Sequence, residues 1–332
     1  IVDAHAHGPY AAGEVIPQQN WNLLAHLALG VTTVHNPSSS AKSAFAAAEY
    51  ARAGRILGPR IFSTGEIVYG AKSTSWAPID ELDDALAHVR RLAAQGAISV
   101  KNYNQPRREQ RQQVIEAARQ EGLISVAEGG SLFQLDMSMI ADGITGIEHN
   151  VPTLKMYDDV HQFWRQSGAG YTPTLVVTYG GLTSEDYFYQ NTEVWKHPIL
   201  SNFVPPAELQ ARSVRRVTAP EEDYRDDDAA AAARILMLDG IMVNIGAHGQ
   251  REGLASHWEM WSFARGGFTP MEALATATIN PARYLGMDKD LGSLEPGKLA
   301  ALILIDANPL DDIRNTDHIS HVMLNGRLYR AG

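Results

Sequence analysis

The sequence has no cysteine, no long apolar run and a shortage of positive charge. Without cysteine there are no disulfides and no thiolate ligands, so any metal must be bound by imidazole, carboxylate or a modified lysine. No stretch approaches the roughly 18 uninterrupted apolar residues of a bilayer-spanning helix, and no secretory leader is visible, so no membrane partner is expected. Lys and Arg number 28 against 38 Asp and Glu, a formal charge of −10 with no basic run to follow a phosphate backbone; nucleic acid is not expected as a partner.

What is present is 332 residues at 45% hydrophobic composition, enough for one large α/β barrel or two ordinary domains. The chain enters an apolar strand almost at once from Ile1, and an upstream segment of the same polypeptide is expected. The absence of cysteine is compatible with an oxidising or a reducing compartment, so location is not legible here.

Short β-branched runs alternate with longer helical patterns, as in repeated βα units on a parallel sheet. The expected strands are Val2–His7, Val31–Asn36, Arg60–Gly65, Ile98–Tyr103, Leu123–Glu128, Ile144–His149, Tyr171–Leu175 and Met242–His248. Eight strands imply a (β/α)8 TIM-type barrel over residues 1–290, with helices such as Glu81–Gln95 and Arg108–Gln120 between them. An insertion at about 179–224 carries Tyr179, Tyr187, Tyr189 and Trp195, and reads as a substrate wall or as surface packing. Residues 291–332 read as a small, incomplete β-sandwich appendage whose N-terminal strands are missing.

Residues two apart on a strand face the same side, so His5 and His7 can present both imidazoles to one ion. Lys101, Glu128, His149 and His248 each fall at or near the C-terminal end of a different expected strand, where barrel active sites converge. Together the six residues define a candidate divalent-metal site. Tyr179 is a candidate donor to a developing oxyanion. His35, Glu66, His257 and Glu259 are weaker candidates, read as at least equally suited to structural roles.

The motifs VDAHAH, SVKNY, GIEHN and TPTL, with the tail ATINPARYLGMDKDLGSLEPGKLA and DANPLDDI, resemble the amidohydrolase superfamily, most closely its prolidase and imidazolonepropionase-like branch. The stretches TLVVTYGG, EDYFYQ, GAHGQ and HWEMW are similar to bacterial amidohydrolase modules that follow a TolB-like propeller, which would imply an exported parent protein. The resemblance implies that His5 and His7 bind one metal, that Lys101 as a carbamate bridges two, and that His149 binds the second.

Two positions depart from the family pattern. The fifth strand offers Glu128 where histidine is expected, and the eighth reads Gly246-Ala247-His248 where Gly-Thr-Asp is expected. Acid and imidazole have exchanged strands, leaving four His, one Lys and one carboxylate. One or two zinc-like ions suit that mixture, and the proton-shuttling base is His248 or Glu128. Alternatively, an unmodified Lys101 pairs with Glu128. The expected function is hydrolysis of an amide, peptide or cyclic amide C–N bond by a metal-activated hydroxide, acting on a small molecule or short peptide, with a homo-oligomer compatible. The competing readings are a non-catalytic binding module on a degenerate barrel and a metal-dependent isomerase or decarboxylase.

Overall fold

The computed structural model describes residues 1–11, 15–71, 77–130 and 132–332. Seven parallel strands form two sheets: β1 (Val2–Asp3), β2 (Thr33–Asn36) and β3 (Arg60–Ser63) in one, and β4 (Ser99–Asn102), β5 (Ile124–Glu128), β6 (Gly146–Glu148) and β7 (Gly170–Thr172) in the other. Each lies within or against an expected strand, and the sheets run in sequence order, as βα repeats dictate.

The helices between the strands follow their sequence signals. Helix Leu82–Gln95 begins at a capping box in which Glu81 and Asp84 satisfy each other's backbone, and it stops at Gly96, whose φ of 107° suits glycine. Its inward stripe, Ala85, Leu86, Val89 and Leu92, is fully packed. Helix Leu254–Arg265 differs: every residue from Leu254 to Phe263 is buried, so it lies inside the molecule rather than on a face.

The expected eighth strand is not a regular strand. The segment from Met242 touches β7 through an isolated parallel bridge, Tyr171 to Val243, and on its other side Ala4 N–H donates to Ile245 O at 3.3 Å. Three of its own donors are diverted. Ile245 N–H goes to Thr276 O at 2.9 Å, Gly246 N–H to Glu259 Oε2 at 3.3 Å, and Ala247 N–H to Asp3 Oδ1 at 3.2 Å. Asn244 N–H still donates to Tyr171 O at 2.9 Å, but three consecutive N–H groups held by a helix end and two side chains interrupt the ladder. A second isolated bridge, Val68 to Asn102, ties the chain after β3 to β4.

The C-terminal region, expected as part of an incomplete β-sandwich, forms an antiparallel sheet of β8 (Leu302–Ile305), β9 (Ile319–Leu324) and β10 (Arg327–Arg330), in the order β10-β9-β8. The turn Asn325-Gly326, with φ of 51° and 77°, closes β9 onto β10 as an Asn-Gly hairpin does. An apolar hollow of about 200 Å³ between this sheet and Ile1, Leu274 and Ala277 contains none of the candidate site residues. Among the described residues, no helix is long and apolar enough to cross a membrane.

The insertion is packed down. Phe188 stacks on Trp258 with centroids 5.4 Å apart, Tyr189 meets the same ring, and the Arg265 guanidinium lies 3.6 Å over Tyr187. Trp195 is covered by Arg216 at 4.5 Å. Tyr179 alone among the insertion aromatics named above reaches a histidine of the candidate site.

Candidate metal centre

The six candidate residues come together. Ring centroids of His5 lie 4.9, 5.0 and 5.1 Å from those of His7, His149 and His248, and His248 lies 4.8 Å from His7 and 5.2 Å from His149. His5, His149 and His248 each offer a ligand atom within 4.8 Å of the other two. On the far side, Glu128 Oε1 approaches His149 Nε2 at 3.2 Å while Oε2 pairs with Lys101 Nζ at 2.8 Å. Lys101 is only 1% exposed, and among the described residues this carboxylate is its ion-pairing partner.

The backbone is bent to achieve this. His149 and His248 have φ of 71° and 58°, and Thr174, whose hydroxyl meets His149 Nδ1 at 2.6 Å, has φ of 49°. Left-handed conformations at residues with a Cβ are strained, and they cluster where function requires them. At His149 the twist is fixed by its N–H bonding Thr172 O at 2.8 Å.

Tautomers follow from the partners. Asn36 Oδ1 accepts from Ser38 N–H at 3.0 Å, which orients the amide, so at 2.9 Å it accepts from His7 Nδ1 as well. His5 Nδ1 contacts Glu148 Oε2, and Glu148 Oε1 accepts from the Tyr284 hydroxyl at 3.0 Å. Both Nε2 lone pairs are thus left facing each other, 3.1 Å apart. Burial, reinforced for His5 by the nearby Lys101 charge, pushes both rings below the usual imidazole range, so protonation does not relieve the contact. Two facing lone pairs repel unless a cation lies between them. Their separation suits two nitrogens that each reach one zinc ion at about 2.0–2.1 Å. His248 Nδ1 is likewise buried without a partner, and burial pushes its ring down to about 3. The residues present therefore fit a divalent metal.

Glu128 is suited to anionic work. Burial opposes its ionisation, yet the His149 hydrogen bond and the Lys101 ammonium hold its carboxyl well below the usual range. Tyr179 stands beside it, its ring 5.1 Å from His149, and burial together with the Glu128 charge pushes its phenol up to about 12. It therefore stays protonated and able to donate.

The weaker candidates are structural. His35 bridges Ala4 O at 2.9 Å and Ser99 Oγ at 2.6 Å, and Glu66 accepts from Ala41 N–H at 3.0 Å. His257 Nε2 bonds Leu29 O at 2.9 Å, and Glu259 holds Val176 and Gly246 N–H groups. Sequence reasoning missed Glu148 and Asp3. Regular strand alternation would turn Glu148 away from the side His149 takes, and the adjacent EH pair in GIEHN was the only signal for it. Asp3 accepts from His5 and Ala247 N–H and from Ser256 Oγ at 2.7 Å, joining the first strand to the eighth segment.

Asp136 shapes the loop under Tyr179. Its Oδ1 accepts from Gly130 N–H at 3.1 Å, and a Cβ at Gly130 would fall 2.7 Å from the Tyr179 ring. Burial pushes Asp136 up to about 7 from an ordinary 3.8, the Gly130 hydrogen bond opposing. Between pH 4 and 7 the folded protein keeps a proton that the unfolded chain has released, so stability falls as pH rises through that window. Asp136→Asn has no such proton to lose. Its stability relative to the parent is expected to rise from pH 4 to 7 and level off above; urea unfolding across that range checks this, and a constant gap contradicts it.

The chain matches the amidohydrolase family over residues 1–329. A segment is 62% identical over 40 residues to 5-methylthioadenosine/S-adenosylhomocysteine deaminase of Symbiobacterium thermophilum, covering 12% of this chain and 9% of that protein. Another is 39% identical over 62 residues to a putative N-acetylgalactosamine-6-phosphate deacetylase of Escherichia coli K12, covering 19% of this chain and 32% of that protein. The matched stretches thus span a third or less of these relatives' lengths. The structure of a Xaa-Pro dipeptidase with bound methionine superposes with a TM-score of 0.71 at 20% identity, covering 99% of this chain and 85% of that one, which is a likeness of fold. Because the family match runs along the whole sequence rather than one motif, this chain belongs to the amidohydrolase family.

Proposed function

We propose that the chain is a metal-dependent hydrolase of amide, peptide or cyclic amide C–N bonds, built on a (β/α)8 barrel in which the Met242–His248 segment stands as the eighth, irregular stave. The observation that carries the reading is the approach of His5 Nε2 to His7 Nε2 at 3.1 Å, beside a buried His248 Nδ1 with no hydrogen-bond partner among the described residues. His5, His7, His149, His248 and Glu128 would hold one or two divalent ions, zinc suiting so imidazole-rich a set. The metal supplies Lewis acidity that makes water nucleophilic near neutral pH.

The protein's own groups do the rest. Glu128, ionised and directed at His149, is placed to take a proton from water and return it to the leaving nitrogen, with the Lys101 charge holding it. Tyr179, protonated and beside the same carboxylate, donates to the carbonyl oxygen as charge develops there. The substrate is a small molecule or short peptide.

Protein purified without chelator is expected to carry one or two zinc or manganese ions per chain and to hydrolyse members of a dipeptide and cyclic-amide panel. Metal-free protein that stays inactive after zinc or manganese addition overturns the reading. Lys101 is read in the same sample. Carbon-13 bicarbonate gives a carbamate resonance if Lys101 bridges two ions, and none if it remains the ammonium partner of Glu128.

A further inference from the structure

β6 and β7 meet at a pair of glycines. Gly146 and Gly170 are register partners in the parallel ladder, so two neighbouring positions lack side chains at the same level. Glycine inside a strand weakens it and marks a close approach by another group. The group here is Tyr284, the last residue of helix Ile279–Tyr284. A Cβ on Gly146 would fall 2.1 Å from the Tyr284 hydroxyl oxygen, and one on Gly170 would fall 2.8 Å from its Cδ2. The helix is fixed in turn by Asn280 Nδ2 donating to Val243 O at 3.0 Å.

The slot delivers the phenol to one place. Tyr284 is 6% exposed, and its hydroxyl donates to Glu148 Oε1 at 3.0 Å, while Glu148 Oε2 meets His5 Nδ1. Glu148 is fully buried, so no solvent substitutes for either partner. A carboxylate held by one oxygen turns about its last bond; held by both, its plane is set. With Oε1 engaged by Tyr284, Oε2 is left to accept from His5 Nδ1, and His5 Nε2 is kept as the free lone pair on the metal side.

We propose that Tyr284 is a positioning residue for the metal centre, acting through Glu148 to fix the orientation and tautomer of His5. This rests on the metal-site reading above and adds to it a residue from outside the strands that carry the ligands. Groups that orient a metal-binding histidine typically contribute 10–100-fold to affinity.

The test is Co(II) binding to metal-depleted protein, followed by visible absorption under chelator competition. Tyr284→Phe keeps the ring in its slot and removes only the hydroxyl. It is expected to weaken Co(II) about tenfold and to alter the visible band, with unchanged far-ultraviolet dichroism of the metal-free protein. Glu148→Gln is expected to weaken Co(II) by about 10–100-fold. The double variant should bind no more weakly than Glu148→Gln alone, because Tyr284 acts through Glu148.

Binding by Tyr284→Phe within about twofold of the parent overturns the proposal. So does a double variant that loses the full tenfold beyond Glu148→Gln. Should Tyr284→Phe fail to fold, Gly170→Ala, which crowds the ring, replaces it under the same expectation: weakened Co(II) supports the role, and parent-like binding overturns it. A parent protein that binds no Co(II) overturns the metal-site reading itself and this inference with it, an outcome distinct from loss of the Tyr284 effect alone.

Discussion

Glu128→Gln is expected to lower turnover by about 10²–10⁴-fold, the usual contribution of a positioned acid–base group. The amide keeps the size of the side chain but neither its charge nor its basicity. It can still face His149, now 3.2 Å from the carboxylate, yet it cannot accept a proton from water. The same substitution has a second consequence. Lys101, 1% exposed and 2.8 Å from Glu128 Oε2, loses its ion-pair partner, which costs about 3–5 kcal/mol when a buried pair is broken on one side. Replacing Lys101 by Met in the Glu128→Gln background is expected to restore much of that stability while activity stays lost. Denaturant midpoints and turnover on the best panel substrate, measured on the single and double variants, check both halves. Parent-like turnover in Glu128→Gln removes the carboxylate from the chemistry.

Gly249→Ala is expected to unseat the centre without touching a ligand. Gly249 has φ of 83°, and a Cβ there would fall 2.1 Å from His7 O and 2.8 Å from its carbonyl carbon. Neither backbone can yield alone, because His248 N–H donates to His5 O at 2.6 Å on the preceding residue. The eighth segment must withdraw from the end of the first strand, carrying His248 away from His5 and His7. The left-handed backbone and the crowding together cost about 2–5 kcal/mol. Urea unfolding and Co(II) affinity measure the two effects. A variant with both values unchanged shows that the turn has more freedom than its contacts allow.

Much of the centre was legible because strand periodicity and residue type carry it. His5 and His7 share a face through a repeat of two, and Lys101, Glu128 and His149 sit at strand ends that the apolar runs delimit. The exchange of acid and imidazole between Glu128 and His248 was visible as a departure from pattern, and the structure brings both residues to the same cluster. The eighth strand was over-read for a reason its sequence does not contain. Met242–His248 has strand composition, but three of its N–H groups, at Ile245, Gly246 and Ala247, are taken by Thr276, Glu259 and Asp3, contributed from opposite ends of the chain.

The sequence by itself determined the chemistry available: no thiolate, four imidazoles, one carboxylate and one lysine, carried by βα units in a fixed order. Tertiary structure decided which neighbours share the interior. Glu148 and His149 are consecutive, and in an extended strand they would point apart. They serve one centre because the bond from His149 N–H to Thr172 O holds His149 at a φ of 71° and breaks the alternation. That bond joins residues on different strands, and a one-dimensional pattern has no term for it.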